Sequence, residues 1–403
     1  MPVFKYKARD KSGDLKTGEI EAFSEDVAVD ILAEKGVVVT GLVPKEEGFT
    51  LKRLYRKYSG ISLKTLMIFL KQFSVMVNAG LPIVESLKTL AEEETNIKFA
   101  EIIADIARKV EAGESLASSM EKYPETFSPV HVNMMKVGET SGKIDEVLLK
   151  ITEQLEREND LRTKIKGAMI YPSFILVTLV AVALLMFLFV IPRLKPLLEG
   201  AGIKLPFLTK VLIFMSAALI NWWWIIIPLI ILSIFILRFY IKTSEGREIW
   251  ENVKIRLPVF GVIIKKIYMA RFTRTFATLM SGGVNVLQAL EISSDAIGNV
   301  HYKREIIKIS QDVKNGASLG EAFKKSERFF RIVKKMMKVG ESTGTLDTTI
   351  GKLAVFFESE VENTLNNLSK LLEPILIIIM GISVALVASS VIMPLYDITK
   401  AIK

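Results

Sequence analysis

Two short stretches carry the residue types that handle phosphate groups: Gly138-Glu139-Thr140-Ser141-Gly142-Lys143 and Gly340-Glu341-Ser342-Thr343-Gly344-Thr345. A phosphate-cradling loop wraps the anion with backbone N–H groups and reaches it with a lysine, which requires four residues between its glycines and Lys-Ser/Thr after the second. Here three residues separate the glycines, Ile144 follows Lys143, and Thr345 occupies the place of the lysine in the second stretch. Both stretches therefore read as glycine-permitted turns between helices, in which Glu139 and Glu341 can cap or pair locally.

Carboxylates are the other candidate chemistry. Glu153, Glu156, Glu158 and Asp160 form a run that Glu358, Glu360 and Glu362 echo. Such a run can hold a hard cation or receive a basic partner, and the plainer reading is a solvated helix face. The chain has no cysteine, and its two histidines are His131 and His301. Thiol catalysis, disulfide frameworks and Cys- or His-rich zinc sites are thereby excluded. Val333 stands where the second stretch would repeat His131, and two unrelated histidines build no Ser-His-Asp constellation. No catalytic residue, cofactor or metal is expected, and the chain reads as a non-enzyme.

These motifs sit inside a duplication. Phe69, Phe73, Gly80 and Leu87 recur as Phe272, Phe276, Gly283 and Leu290, each 203 positions on. At a spacing of 202, MMKVGETSGKID from Met134 recurs as MMKVGESTGTLD from Met336. The correspondence runs on through Glu156 and Glu358 to Pro172 and Pro374, then to Pro192 and Pro394. Self-similarity of this extent marks a repeated structural unit. Within the unit the apolar period is helical. Ser62 can cap a helix to Ala79, which Gly80 and Pro82 break before a second helix over Ile83 to Glu93. Asn96 and Ser115 can cap two more, Pro124 interrupts, a short helix holds Met134 and Met135, and a long one starts near Ile144. Six helices make a small bundle.

Apolar and charged residues are segregated along the 403 residues: mean hydropathy is +0.36 although 24% of residues are charged. Three uncharged stretches, 170–191, 213–237 and 374–395, are long enough for a bilayer core, which needs about 20 helical residues. Trp222, Trp223 and Trp224 would mark an interface. Residues 1–170 carry 25 Lys and Arg against 27 Asp and Glu, whereas residues 238–373 carry 22 against 15. A basic segment bounded by spans is better matched to anionic headgroups than to nucleic acid, and no nucleic-acid partner is expected.

The N-terminal residues hold no apolar signal region, so the expectation is a cytoplasmic N-terminus. The expected order is a small α+β module over 1–50, with a hairpin from VFKYKA through KTGEIEA, a capped helix over 24–35 and a VVVTGLV strand, then a basic linker over 51–61 and a cytoplasmic bundle over 62–169. Span 170–191, an external loop over 192–212 and span 213–237 follow. A second cytoplasmic bundle over 238–373, span 374–395 and an external tail over 396–403 complete it. The fold class is thus mainly α, a polytopic membrane protein with two duplicated six-helix cytoplasmic bundles and three transmembrane helices. In the third span Gly381, Ala385 and Ser389 recur every four residues, a small-residue face that suits helix packing and a homo-oligomer.

The N-terminal YKARDKSGDLKTGEIEAFSEDVAVDILAEKG, the FLKQFSVMVNAGLPIVESL stretch and the pair GETSGKIDEVL and GESTGTLDTTI resemble the inner-membrane platform proteins of type II secretion systems and type IV pilus machines. The resemblance runs end to end. It implies a bacterial inner-membrane protein beside a hexameric assembly ATPase, pilin or pseudopilin subunits and other inner-membrane assembly proteins. It also implies that motor motion is coupled to insertion of those subunits into a filament. A transporter is the competing class, and spans without a single Asp, Glu, Lys, Arg or His offer it no obvious ion path.

Overall fold

The computed structural model describes residues 3–9, 15–21, 29, 32–33, 37–44, 60–193, 196, 207–258 and 260–401. Most of residues 24–35, where a helix is expected, the linker before Gly60 and most of the loop over 194–206 lie outside them.

At the N-terminus β1 (Val3–Arg9), β2 (Leu15–Glu21) and β3 (Val38–Pro44) form an antiparallel sheet in the order β2-β1-β3. The hairpin register pairs Val3 with Glu21 and Arg9 with Leu15. On the other edge Phe4 pairs with Pro44, and an irregularity at Lys7/Ala8 shifts the register before Arg9 meets Val38.

The first copy of the duplication forms six helices: α1 (Leu63–Asn78), α2 (Ile83–Glu93), α3 (Ile97–Glu111), α4 (Leu116–Glu121), α5 (Pro129–Ser141) and α6 (Ile144–Leu185). The local signals explain the boundaries. Ser62 accepts the Thr65 N–H at 3.0 Å, Asn96 the Phe99 N–H at 3.3 Å and Ser115 the Ser118 N–H at 3.1 Å, each satisfying a first-turn donor. In α1 the buried residues Leu66, Phe69, Leu70 and Phe73 fall at helical spacing on one face. That face packs on α6.

Helix α6 does not stop at Pro172. It continues through a π-turn at Met186–Val190 to Arg193, a single helix of 50 residues. Helix α7 (Phe207–Lys242) follows, and its Ser216 hydroxyl donates to the Phe187 carbonyl in the π-turn at 2.5 Å. A π-turn leaves backbone carbonyls poorly paired, so a hydroxyl from the neighbouring helix is the natural partner. Among the described residues, α6 and α7 are long and apolar enough to cross a membrane. Their apolar side chains point outward, Phe174, Trp222, Trp223 and Trp224 among them.

Helix α8 (Ser244–Arg256) has no counterpart among the described residues of the first copy. The second bundle then repeats the first: α9 (Phe260–Ser281), α10 (Val286–Ala296), α11 (Val300–Lys314), α12 (Leu319–Lys325), α13 (Arg331–Thr343) and α14 (Leu346–Ala401). Phe69 stacks on Phe73 at 5.8 Å, and Phe272 stacks on Phe276 at the same separation. The second core is more aromatic, with Phe323, Phe329 and Tyr302 joined edge-on. Helix α9 packs on α14, as α1 does on α6, and α6 also touches α9 and α14, which brings the two copies together. Helix α14 runs unbroken past Pro374 through the third apolar stretch, whose side chains are largely outside the described set.

Candidate functional site

The duplicated turns are built alike to within a few tenths of an ångström. Gly142 and Gly344 sit at φ 69° and 68°, the left-handed conformation that closes a helix. Behind each, the next residue returns to the helix: Lys143 N–H donates to the Gly138 carbonyl at 2.8 Å and Thr345 N–H to the Gly340 carbonyl at 2.9 Å. Gly138 and Gly340 serve close approach. A Cβ on Gly138 would lie 3.0 Å from the Cβ and Cγ2 of Val147, and one on Gly340 would lie 3.1 Å from the Cα of Leu346.

The two glutamates act at a distance and not within their own turns. Glu139 accepts the Leu116 N–H at 2.5 Å and the Ala117 N–H at 3.0 Å. Glu341 accepts the Leu319 N–H at 2.6 Å and the Gly320 N–H at 2.8 Å. Each carboxylate thus closes the first turn of α4 or α12 from the end of the following helix, where a negative charge also meets the positive end of the helix dipole. The local capping expected from sequence gives way because α4 packs on α5 and α12 on α13, which puts a richer set of unpaired N–H donors within reach.

The acidic runs are met by bases. Lys71 holds Glu156 at 2.6 Å on the surface of the first copy. At the equivalent place in the second, Arg274 grips Glu358 through two bonds of 2.7 Å, with both side chains about four-fifths buried. Lys266 takes Glu360 and Thr364 at 2.7 and 2.9 Å, Arg162 takes Glu158, and Lys164 crosses between copies to Glu362 at 2.7 Å. Among the described residues no three carboxylate or imidazole groups converge as metal ligands.

Where the copies meet, α6, α9 and α14 enclose a cleft of about 550 Å³. Lys150, Glu153, Arg157 and Asp160 line it from the first copy, and Arg274 and Asp347 from the second. Lys150 reaches across to the Ser281 carbonyl at 2.5 Å, and Gln154 lies buried in the wall.

Residues 69–192 and 272–394 each match the family described as type II secretion system (T2SS), protein F, and residues 1–42 match the N-terminal domain of that protein. The chain belongs to the type II secretion system protein F family. It is 34% identical to the type IV pilus assembly protein PilC of Thermus thermophilus, over 99% of this chain and 98% of that one. It is 30% identical to the type II secretion system protein F of Xanthomonas campestris pv. campestris over 100% of both chains. It is 28% identical to the type IV pilus assembly protein PilC of Myxococcus xanthus over 99% and 96%.

Each protein F match begins inside the first helix of a bundle and ends at Pro192 or Pro394, so the family's unit is a bundle together with the apolar helix that leaves it. Within these units the structure brings Glu139 to α4 and Glu341 to α12. Gly381 and Ala385 stand exposed on α14, with no atom near enough to touch a Cβ on Gly381, and the side chain of Ser389 is outside the described residues. His131 is a structural group of the first protein F unit. Its Nδ1 accepts the Ser128 N–H at 3.3 Å, and burial pushes its pKa down to about 4 against the pull of Glu158. Burial likewise pushes the Tyr302 phenol up to about 12. Sequence reasoning missed the bases facing the acidic runs, and the equivalence of Lys71 with Arg274 under the repeat was the signal that could have found one pair.

Proposed function

We propose that this protein is the inner-membrane platform of a type II secretion or type IV pilus machine, and that it couples a cytoplasmic assembly ATPase to insertion of pilin or pseudopilin subunits into a filament. The observation that carries the reading is the continuity of α6. One helix begins at the Gly142 turn, bears the Glu156 and Glu158 ion pairs in the bundle and proceeds without interruption into an apolar segment. Helix α14 repeats the arrangement from Gly344. A helix that is part bundle and part span transmits displacement, because its hydrogen-bonded ladder resists bending better than any loop. In this reading 170–191, 213–237 and 374–395 span the membrane, both bundles and the N-terminal module lie in the cytoplasm, and copies of the chain associate. The Gly138-Glu139 and Gly340-Glu341 turns set the angle at which each lever leaves its bundle.

The test is an insertion of three glycines between Lys166 and Gly167 in the full-length protein. It should leave membrane insertion and co-purification with the ATPase intact while filament assembly stops. Assembly at the wild-type level in a membrane-inserted variant refutes mechanical coupling through α6. Recovery of neither an ATPase nor pilin-like subunits on gentle detergent extraction of the unaltered complex refutes the platform reading itself.

A further inference from the structure

Helix α8 starts almost where α7 ends. Lys242 closes α7, Thr243 caps α8 by accepting the Gly246 N–H at 3.1 Å, and α8 runs from Ser244 to Arg256. On its inner face Gly246 is buried against Tyr240 at the end of α7, and Glu251 and Ile255 are buried too, the Glu251 carboxylate accepting the Val300 N–H at the start of α11. Its outer face carries Ile249 and Val253 and continues through Leu257 to Phe260 and Val262. These five large apolar side chains are 42–54% exposed. Ile249, Val253 and Leu257 follow at steps of four, so they form one stripe along the helix. An exposed stripe of this kind marks an interaction surface.

The charges around the stripe are mostly basic, with the exposed Glu245 the exception. From Arg238 to Lys266 the chain holds seven Lys and Arg against three Glu. Two of the glutamates are already engaged, Glu248 by Arg304 at 2.6 Å and Glu251 by Arg247 at 2.9 Å. Lys242 and Arg256 have no ion pair among the described residues, and Lys254 lies 5.7 Å over the ring of Trp250. Apolar side chains flanked by tryptophan and cations are the composition of a helix that lies in the bilayer interface. A helix of 13 residues is about 20 Å long, so no part of α8 is far from the end of α7.

We propose that α8 and the start of α9 form an in-plane anchor on the cytoplasmic leaflet, with the Ile249–Val262 stripe at the acyl boundary and the surrounding cations on the phosphates of anionic phospholipids. The proposal rests on the reading of α7 as a span. It fixes the second bundle to the membrane surface at a point beside α7, so that motion delivered to that bundle pivots there.

The absence of native cysteine makes the test direct. Val253→Cys, Ile231→Cys and Lys308→Cys, one at a time in the full-length protein, carry a fluorophore in nanodiscs containing doxyl-labelled lipid. The Ile231 position reports the span and the exposed Lys308 position reports a surface of the bundle outside the stripe. Quenching at Val253 should exceed that at Lys308 by about threefold, and should rise about twofold more when about a third of the phosphatidylcholine is replaced by phosphatidylglycerol. Lys254→Gln together with Arg256→Gln should remove the second increment and keep the first. Quenching at Ile231 with none at Val253 overturns the anchor alone. No quenching at Ile231 overturns the span reading and the anchor with it. Disulfide-linked dimers of the unlabelled Val253→Cys protein, with no lipid quenching of the labelled one, assign the face to a second copy of the chain and overturn the proposal.

Discussion

Replacing Glu139 with alanine leaves the Leu116 and Ala117 N–H groups without the carboxylate that accepts them at 2.5 and 3.0 Å. Both residues are essentially buried, so water repairs the loss poorly. An unpaired buried donor costs about 1–3 kcal/mol, and the lost charge at a helix N-terminus costs about 0.3–1 kcal/mol. With partial access of water to the first turn, the expected penalty is about 3 kcal/mol. Glu139→Gln keeps one carbonyl acceptor and loses the charge, so it should cost roughly half as much. At about 1.4 kcal/mol per decade, the alanine variant should open α4 roughly 100-fold more often. Hydrogen–deuterium exchange of the full-length protein, read by mass spectrometry over residues 115–122, measures this. Residues 318–325 are the internal control, because Glu341 holds the equivalent turn there and should exchange as in the wild type. Exchange over 115–122 within about threefold of the wild type, with the control unchanged, refutes the capping role.

Two further outcomes follow from the same geometry. The His131 pKa drops from an ordinary 6.5 to about 4 in the fold, so the unfolded chain binds the proton first. Stability from this site is complete above pH 6.5, is lost as the pH falls toward 4, and is lower by about 2 kcal/mol at pH 5. In thermal unfolding, His131→Gln should therefore flatten the dependence of Tm on pH between 5 and 7, and an unchanged slope refutes the assignment. Gly344→Ala forces a Cβ into φ 68° and should cost about 1–2 kcal/mol, whereas Gly344→Asn should cost less than half of that. Equal Tm values for the two variants would count against a left-handed requirement at this turn.

Much of the architecture was legible in the residues because its signals are local. Ser62 and Ser115 announce helix starts through hydroxyls that reach only three residues ahead, and Gly142 announces a stop through a conformation its neighbours cannot adopt. The strands Val3–Arg9 and Leu15–Glu21 are equally visible as a hairpin. Pro172 is the instructive case, since a proline ordinarily breaks a helix by removing one donor. Helix α6 nevertheless passes through it, losing one donor while the ladder on either side stays closed.

The sequence by itself determined the duplication, the six helices of each unit and the length of the apolar segments, since all three depend on spacing along the chain. Tertiary structure decided the partners. Glu139 and Glu341 sit in nearly identical turns whose sequence suggests local caps, yet each carboxylate serves a helix begun more than twenty residues earlier. Glu156 and Glu358 are equivalent by repeat, yet one meets a solvated lysine and the other a largely buried, two-bonded arginine. Hydrogen bonds and charge pairs depend on distance and burial in three dimensions, and those are set only when the helices have packed.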